Sequence, residues 1–246
     1  MANQNLDKYQ ILKQIIKDAN SIVVFTGAGI SVPSNIPDFR SSNGLYNQDS
    51  GLNIPPEEII SHHFYLSHPE EFFEFYKTKM CYPHAEPNLA HKYFADLEKQ
   101  GKNVTVVTQN IDGLHQKAGS KRVYELHGSV LRNYCEDCNK FYTLEEVLNK
   151  NGVPHCDKCG GIIKPDVVLY EEGLDSMTIE YALAAIMTCD VMIVIGTSLV
   201  VYPAASFVHY FKGKYLILIN KQKTAYDDNC DLVFNEDVIN VIERIK

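Results

Sequence analysis

The residues able to do chemistry fall into three groups. Cys135-x-x-Cys138 and Cys156-x-x-Cys159, seventeen residues apart, supply two thiolate pairs. In a reducing compartment that spacing points to a metal rather than to disulfides; four sulfurs suit tetrahedral zinc, with an iron–sulfur cluster as the alternative. Four ligands leave no open position for a substrate water, so the metal is expected to be structural. His155 adjoins Cys156 as a rival ligand, one that four cysteines make unnecessary. The second group is His127, in YELHGS, with Gln109, Asn110, Asp112 and His115, in QNIDGLH. An imidazole is the side chain best matched to general-base work near neutral pH. His115 lies inside a short helical pattern and reads equally as packed or as oriented by a carboxylate. The third group is the stretch from Gly27 to Arg40, GAGISVPSNIPDFR. Glycines after a strand let the backbone approach a ligand, and a helix start there would offer N–H groups to a pyrophosphate. Against the dinucleotide fingerprint only Gly27 and Gly29 match, with Val32 in place of the third glycine.

These groups need elements to position them. Leu12, Ile15, Ile16 and Ala19 recur at helical spacing before an apolar strand over 22–26, which runs into the glycines. Residues 41–57 read as a loop and a candidate lid, and 69–79 as a helix with acidic residues first and lysines last. A helix over 88–100 stops at Gly101 and leads to a strand over 104–108, whose end carries Gln109 to Asp112. A strand over 122–126 ends at His127. From about 131 to 170 the alternation gives way to cysteines, charges and turn residues, the mark of an insertion, with Thr143-x-x-Glu146 as a capping box. Alternation resumes with a helix over 176–187, strands over 191–195 and 215–219, a helix after Pro203 and a last helix from about Val238. The apolar runs of these later strands fit parallel strands covered on both faces. In such a sheet ligands bind beyond the carboxyl ends of the strands, where Gly196, Thr197, Ser198 and Asn220 also fall.

A chain of 246 residues, 45% hydrophobic, can bury a substantial core. Its net charge of −8 repels a phosphate backbone, so no direct nucleic-acid binding is expected. No apolar run is long enough for a membrane span, and MANQNLDKYQ lacks the apolar core of a signal peptide, so a cytoplasmic location is expected. Cys81, Cys189 and Cys230 read as packing residues, as do the histidines at 62, 63, 68, 84, 91 and 209.

Taken in order, GAGIS with PDFR, TQNIDGLH, LHG, the two C-x-x-C pairs and GTSLVVYPA resemble the sirtuin family of NAD-dependent protein deacylases, over essentially the whole chain. The resemblance implies an α/β fold: a Rossmann-like parallel-sheet domain with a smaller inserted zinc-binding module and a helical module. The larger part would comprise about 1–40, 86–130 and 171–246, and the smaller about 41–85 and 131–170. NAD and an acyl-lysine protein or peptide would meet in the cleft between them. By the same resemblance Ala28, Val32, Phe39 and Arg40 contact NAD, and Gln109 holds a ribose. Asn110, Asp112 and the backbone at Ile111 form the nicotinamide pocket, and Thr197, Ser198, Asn220, Lys221 and Val238 line the adenosine half. The implied reaction is attack of the acyl oxygen on the nicotinamide ribose carbon with loss of nicotinamide, then acyl transfer to the ribose with His127 as base. The products are free lysine and O-acyl-ADP-ribose. The peptide would pair as a strand between 167–172 and 196–202. Here the chain has Tyr170 Glu171 Glu172 where Phe-Gly-Glu is usual, and a strand is expected to accept the glutamate. Members that remove succinyl or malonyl groups carry Tyr-x-x-Arg. The nearest match is Tyr76-x-x-Lys79, and lysine lacks the arginine fork, which favours acetyl and other uncharged groups.

Three other readings compete. ADP-ribosyl transfer to protein would use the same loss of nicotinamide with a different acceptor. A nicotinamide oxidoreductase fits the strand–helix alternation but not the missing third glycine. A zinc-ribbon nucleic-acid module fits the cysteines but not the acidic balance.

Overall fold

The computed structural model describes residues 7–42, 44–47 and 54–246. Part of the expected lid, residues 43 and 48–53, lies outside them. Helix α1 (Lys8–Asp18) buries Tyr9, Leu12, Ile15 and Ile16 and feeds strand β1 (Ser21–Thr26). Short helices α2 (Pro56–Ile59), α3 (His62–Ser67) and α4 (Pro69–Phe75) follow, the last running into a π-helical turn, Tyr76–Met80. Helix α5 (Leu89–Lys99) is capped by Asn88 and leads to β2 (Asn103–Thr108), α6 (Leu114–Ala118) and β3 (Val123–Glu125).

Strands β4 (Gly128–Cys135) and β5 (Phe141–Thr143), helix α7 (Leu144–Leu148) and strand β6 (Ile163–Val167) come next. The capping box at Thr143 and Glu146 forms as the spacing predicts. Helix α8 (Ser176–Thr188), β7 (Val191–Ile195), β8 (Tyr215–Ile219), β9 (Leu232–Phe234) and α9 (Val238–Ile245) complete the chain. Between β7 and β8 the expected helix is a 3-10 helix, Ala204–Tyr210. The short edge strand β9 has too few residues to show a pattern in sequence.

Six strands form one parallel sheet in the order β3-β2-β1-β7-β8-β9. Ile22 and Val24 pack into one core cluster, with residues of α1, α5 and α9, while Val23 and Phe25 pack into the other, with α8 and the 3-10 helix. Both faces are therefore covered, which is why these strands read as unbroken apolar runs. Helix α9 shows the matching helical period, burying Val238, Val241, Ile242 and Ile245.

A separate antiparallel sheet, β5-β4-β6, begins at Gly128, so the compositional change at Leu131 falls inside β4. Its residues Val130 and Val167 share a core with Ile59, Phe64, Phe72 and Tyr76 of the helices after β1. Among the described residues no helix is long and apolar enough to cross a membrane.

Candidate active site

Strand β1 lies between β2 and β7, and this is where the chain order reverses. Thr26 pairs with Thr108 on one side and Ile195 on the other, so three strands end level and deliver their following residues to one place. A crevice at such a switch point is where open parallel sheets bind ligands.

The expected helix after the glycines does not form. Gly27 is followed by two 3-10 turns, Ala28–Ile30 and Val32–Ser34. The glycines also serve a purpose other than ligand approach. Gly27 donates to the Ile195 carbonyl at 3.0 Å and Gly29 to the Gly196 carbonyl at 2.8 Å. A Cβ on Gly27 would stand 2.7 Å from Thr197 Cβ, and one on Gly29 2.6 Å from Gly196 Cα. Both glycines let the β1 and β7 turns touch.

Within the crevice Ser31 Oγ donates to Asp112 Oδ2 at 2.7 Å and accepts from Asn110 Nδ2 at 3.1 Å. Asp112 Oδ1 accepts the Leu114 N–H at 2.9 Å. Burial raises the Asp112 carboxyl pKa above its ordinary value, against the opposing pull of Leu114 N–H and Ser31. Ser31 is the residue that sequence reasoning missed. The available signal was its place inside GAGIS, a hydroxyl next to the only two fingerprint glycines.

His127 sits between β3 and β4. Its Nδ1 lies 2.9 Å from the Gln109 carbonyl, a contact only an Nδ1–H can make, so the neutral ring presents Nε2 as its free lone pair. Burial lowers the imidazole pKa, and the Gln109 carbonyl partly opposes this. The ring is thus neutral near pH 7 and oriented as a base. Gln109 Nε2 donates to Thr197 Oγ1 at 3.2 Å, joining the ends of β2 and β7.

The other expected site residues are arranged around this centre. Ala28 and Val32 lie in the glycine turns. Phe39 packs on Tyr46, with ring centroids 5.4 Å apart, and Arg40 lies over the same Tyr46 ring. Asp38 caps its own loop, accepting from Arg40 N and Ser41 N. Ser198 is exposed beyond β7, whereas Ile111 is partly buried and packs against the core of the helices after β1. Asn220 and Lys221 follow β8, Asn220 donating to the Gln222 carbonyl and Lys221 facing Asp237 at 3.8 Å. The Val238 side chain is buried in the sheet core, which leaves its backbone for any ligand contact.

One expectation changes. Residues 169–172 form a turn, with a single bridge from Tyr170 to Ser61 in place of a strand: Leu169 N–H bonds Glu172 Oε2, Glu172 N–H returns to the Leu169 carbonyl, and Glu171 has φ 76°. The glutamate is therefore accepted in a left-handed conformation, one where glycine fits without strain. Of the two readings of His115 the packed one holds: it is buried against His91, with its Nε2 3.0 Å from Thr26 Oγ1. Tyr76 is wholly buried, stacked on Phe72, with its hydroxyl beside the Cys81 thiol.

The four cysteines meet at the end of β4 away from His127. Their Sγ atoms all lie within 4.8 Å of one another, with Cys135–Cys159 at 3.4 Å and Cys138–Cys156 at 3.6 Å. Around a tetrahedral zinc with bonds of about 2.3 Å, sulfurs stand about 3.8 Å apart, so the set fits such an ion. His155 is exposed and bonds the Gly160 carbonyl, outside the cluster. His127 and Cys135 stand at opposite ends of β4, along which the partner strand β6 runs from Val167 to Ile163, roughly 13 Å.

Fold and site together define a class: an α/β enzyme with a crevice at the switch point, a buried histidine after the neighbouring strand and a four-cysteine cluster that could hold a metal ion kept apart. A profile of the Sir2 family matches residues 27–203. The chain is 57% identical to the NAD-dependent protein deacetylase of Clostridium acetobutylicum and 56% to that of Clostridium perfringens, covering 98% of each relative. It is 44% identical to the enzyme of the same name from Staphylococcus aureus, over 96% of this chain and 97% of that one. Among solved structures, a Sir2 with a p53 peptide and NAD+ superposes with a TM-score of 0.85 at 40% identity, covering 98% of this chain and 97% of that one. A Sir2 bound to acetylated peptide gives 0.83 at 38% identity, with the same coverage. The chain belongs to the Sir2 family.

Proposed function

We infer that this protein is a NAD-dependent protein deacetylase, consuming NAD and an acetyl-lysine protein to give nicotinamide, O-acetyl-ADP-ribose and free lysine. The observation that carries this reading is the neutral His127, its Nε2 free, beside the Ser31–Asn110–Asp112 triangle. NAD supplies a glycosidic bond whose cleavage leaves an electrophilic ribose carbon. A cationic centre of that kind needs strict positioning and exclusion of water more than covalent help.

Asp112 and Asn110, with the Ile111 backbone, hold the carboxamide of nicotinamide. Phe39 lies near its ring, and Ala28, Val32 and Arg40 complete that side. Gln109 holds a ribose, and Thr197, Ser198, Asn220, Lys221 and Val238 line the adenosine half. His127 Nε2 takes a proton from a ribose hydroxyl, so that this oxygen can accept the acetyl group. The peptide lies between 167–172 and 196–202. The burial of Tyr76 supports an uncharged acyl group, because its hydroxyl lies in the core beside Cys81.

The cysteine cluster holds one structural Zn2+, a reading supported by the donor set and its spacing. The chain works as one catalytic core, with its larger part at about 1–40, 86–130 and 171–246 and its smaller at about 41–85 and 131–170. The chain acts in the cytoplasm, on protein and not on nucleic acid or membrane; its net charge of −8 supports the lack of a nucleic-acid partner, and among the described residues no helix is long and apolar enough to cross a membrane. Incubation with NAD and a panel of acyl-lysine peptides, with products identified by mass, tests the reading. Nicotinamide and O-acetyl-ADP-ribose in equal amounts are expected. Label from NAD appearing on protein instead would establish ADP-ribosyl transfer, and a clear preference for succinyl peptide would overturn the acyl assignment.

A further inference from the structure

Two buried histidines lie behind the crevice, outside the residues given a role above. His91 is wholly buried and His115 is 1% exposed; their ring centroids are 4.8 Å apart at 66°. His91 Nδ1 accepts the Asn88 N–H at 3.3 Å. The same Asn88 reaches the glycine loop, its Nδ2 donating to the Ile30 carbonyl at 2.8 Å and to Ser34 Oγ at 2.9 Å. On the other side His115 Nε2 meets Thr26 Oγ1, Thr26 Oγ1 donates to Thr108 Oγ1 at 2.8 Å, and Thr108 Oγ1 accepts the Asn110 N–H at 3.0 Å.

These contacts fix both proton positions. Thr26 gives its single proton to Thr108, so it must accept from His115, which places the His115 proton on Nε2 and a lone pair on Nδ1. His91 accepts at Nδ1, so in its neutral form the proton is on Nε2. Burial lowers both pKa values, His91 to about 4 and His115 well below its ordinary value, and each ring carries one proton at neutral pH. His91 Nε2 and His115 Nδ1 are then one donor and one acceptor, both buried and without a hydrogen-bond partner, on rings that meet edge to face. Leaving both unpaired would be costly, and each is what the other lacks.

We propose that His91 and His115 are positioning residues for the nicotinamide site: the edge-to-face contact of their rings, one offering an unpaired donor and the other an unpaired acceptor, joins them into a buried chain that ties the glycine loop to the Asn110 amide. The Ser31–Asn110–Asp112 triangle links the same two loops at the front. The histidine chain closes the ring behind them and sets the spacing at which the triangle forms. The role at the nicotinamide site rests on the deacetylase reading, whereas the tautomers do not.

The test begins with long-range 1H–15N correlation of the 15N-labelled full-length protein at pH 7, which reads tautomers without turnover. Nε2–H on both rings is expected; a proton on His115 Nδ1, or a doubly protonated ring, would overturn the proposal. The second measurement is the kinetics of His115→Phe, which keeps the ring volume but neither nitrogen, with His115→Gln as the conservative variant. His115→Phe is expected to raise KM for NAD and the nicotinamide inhibition constant about tenfold, the loss of one buried hydrogen bond. KM for the peptide should stay unchanged, and His115→Gln, which can still donate to Thr26, should recover most of the loss. A folded His115→Phe enzyme with unaltered values for NAD and nicotinamide would overturn the proposal. If His115→Phe does not fold, His91→Phe, with His91→Gln as its conservative variant, carries the same comparison. An unaltered protein with the expected tautomers but no deacetylation would instead remove the functional reading.

Discussion

His63 holds Glu171 in a conformation that a glutamate otherwise avoids. The Glu171 carboxylate accepts the His63 N–H at 3.0 Å and faces His63 Nδ1 at 3.1 Å, while its own backbone stands at φ 76°. The His63 contacts also hold its carboxyl pKa below the ordinary value. Its neighbour Glu172 meets His62 Nδ1 at 2.8 Å and Lys164, so two adjacent acids pin this turn to α3 and β6. The carboxylate of Glu171 is therefore engaged by His63.

This geometry orders two variants by stability. Glu171→Gly removes both the strain and the His63 contacts, whereas Glu171→Ala keeps the strain and loses the contacts. The melting temperature of the alanine variant is expected to lie about 2–4 °C below that of the glycine variant. Equal values would show that no strain is stored at this position.

His127→Ala should abolish deacetylation while preserving the fold and the metal, as read by circular dichroism and zinc content. The pH profile carries a second expectation. The base must be neutral, and burial lowers its pKa from 6.5, so the acid limb of kcat/KM should have its midpoint below 6.5. A midpoint at or above 6.5, or near-normal turnover without the imidazole, would remove His127 from the proton transfer.

Ser31→Ala leaves the Asp112 Oδ2 and Asn110 Nδ2 contacts unmade in a buried place. Losing such a partner costs about 1–3 kcal/mol, which is a fall of about tenfold to a hundredfold in kcat/KM for NAD. Nicotinamide inhibition should weaken in parallel, and Ser31→Thr, with its hydroxyl retained, should recover part of both. A variant with unchanged nicotinamide inhibition would show that the triangle does not shape that pocket.

Protein purified without chelator is expected to carry one zinc per chain, and Cys138→Ser to lose it together with much of the thermal stability. The Tyr142 hydroxyl lies 3.1 Å from Cys156 Sγ, so Tyr142→Phe should lower zinc affinity about tenfold to a hundredfold in competition with a chelator. Turnover of the zinc-loaded Tyr142→Phe protein should be unaffected, since the cluster stands apart from His127. Full activity and stability after complete metal removal would exclude a structural ion.

The sequence by itself determined what depends on short spacing and on chain order. Two-residue gaps between cysteines, apolar runs for strands covered on both faces, the capping box at Thr143 and the order of the motifs are all local, and the fold repeats them without change. Only the tertiary structure decided what depends on which strand ends lie side by side. Ser31 meets Asp112, eighty-one positions away, because β1 and β2 pair in a register that ends both strands level. Gly27 and Gly29 serve the β7 turn for the same reason, a contact that no single segment reveals. His115 is packed, with a hydroxyl as its partner, and Glu171 sits in a left-handed turn in place of the expected strand. Local propensity specifies the elements. The partners of a buried polar group are specified by parallel pairing, which brings together segments that the sequence holds far apart.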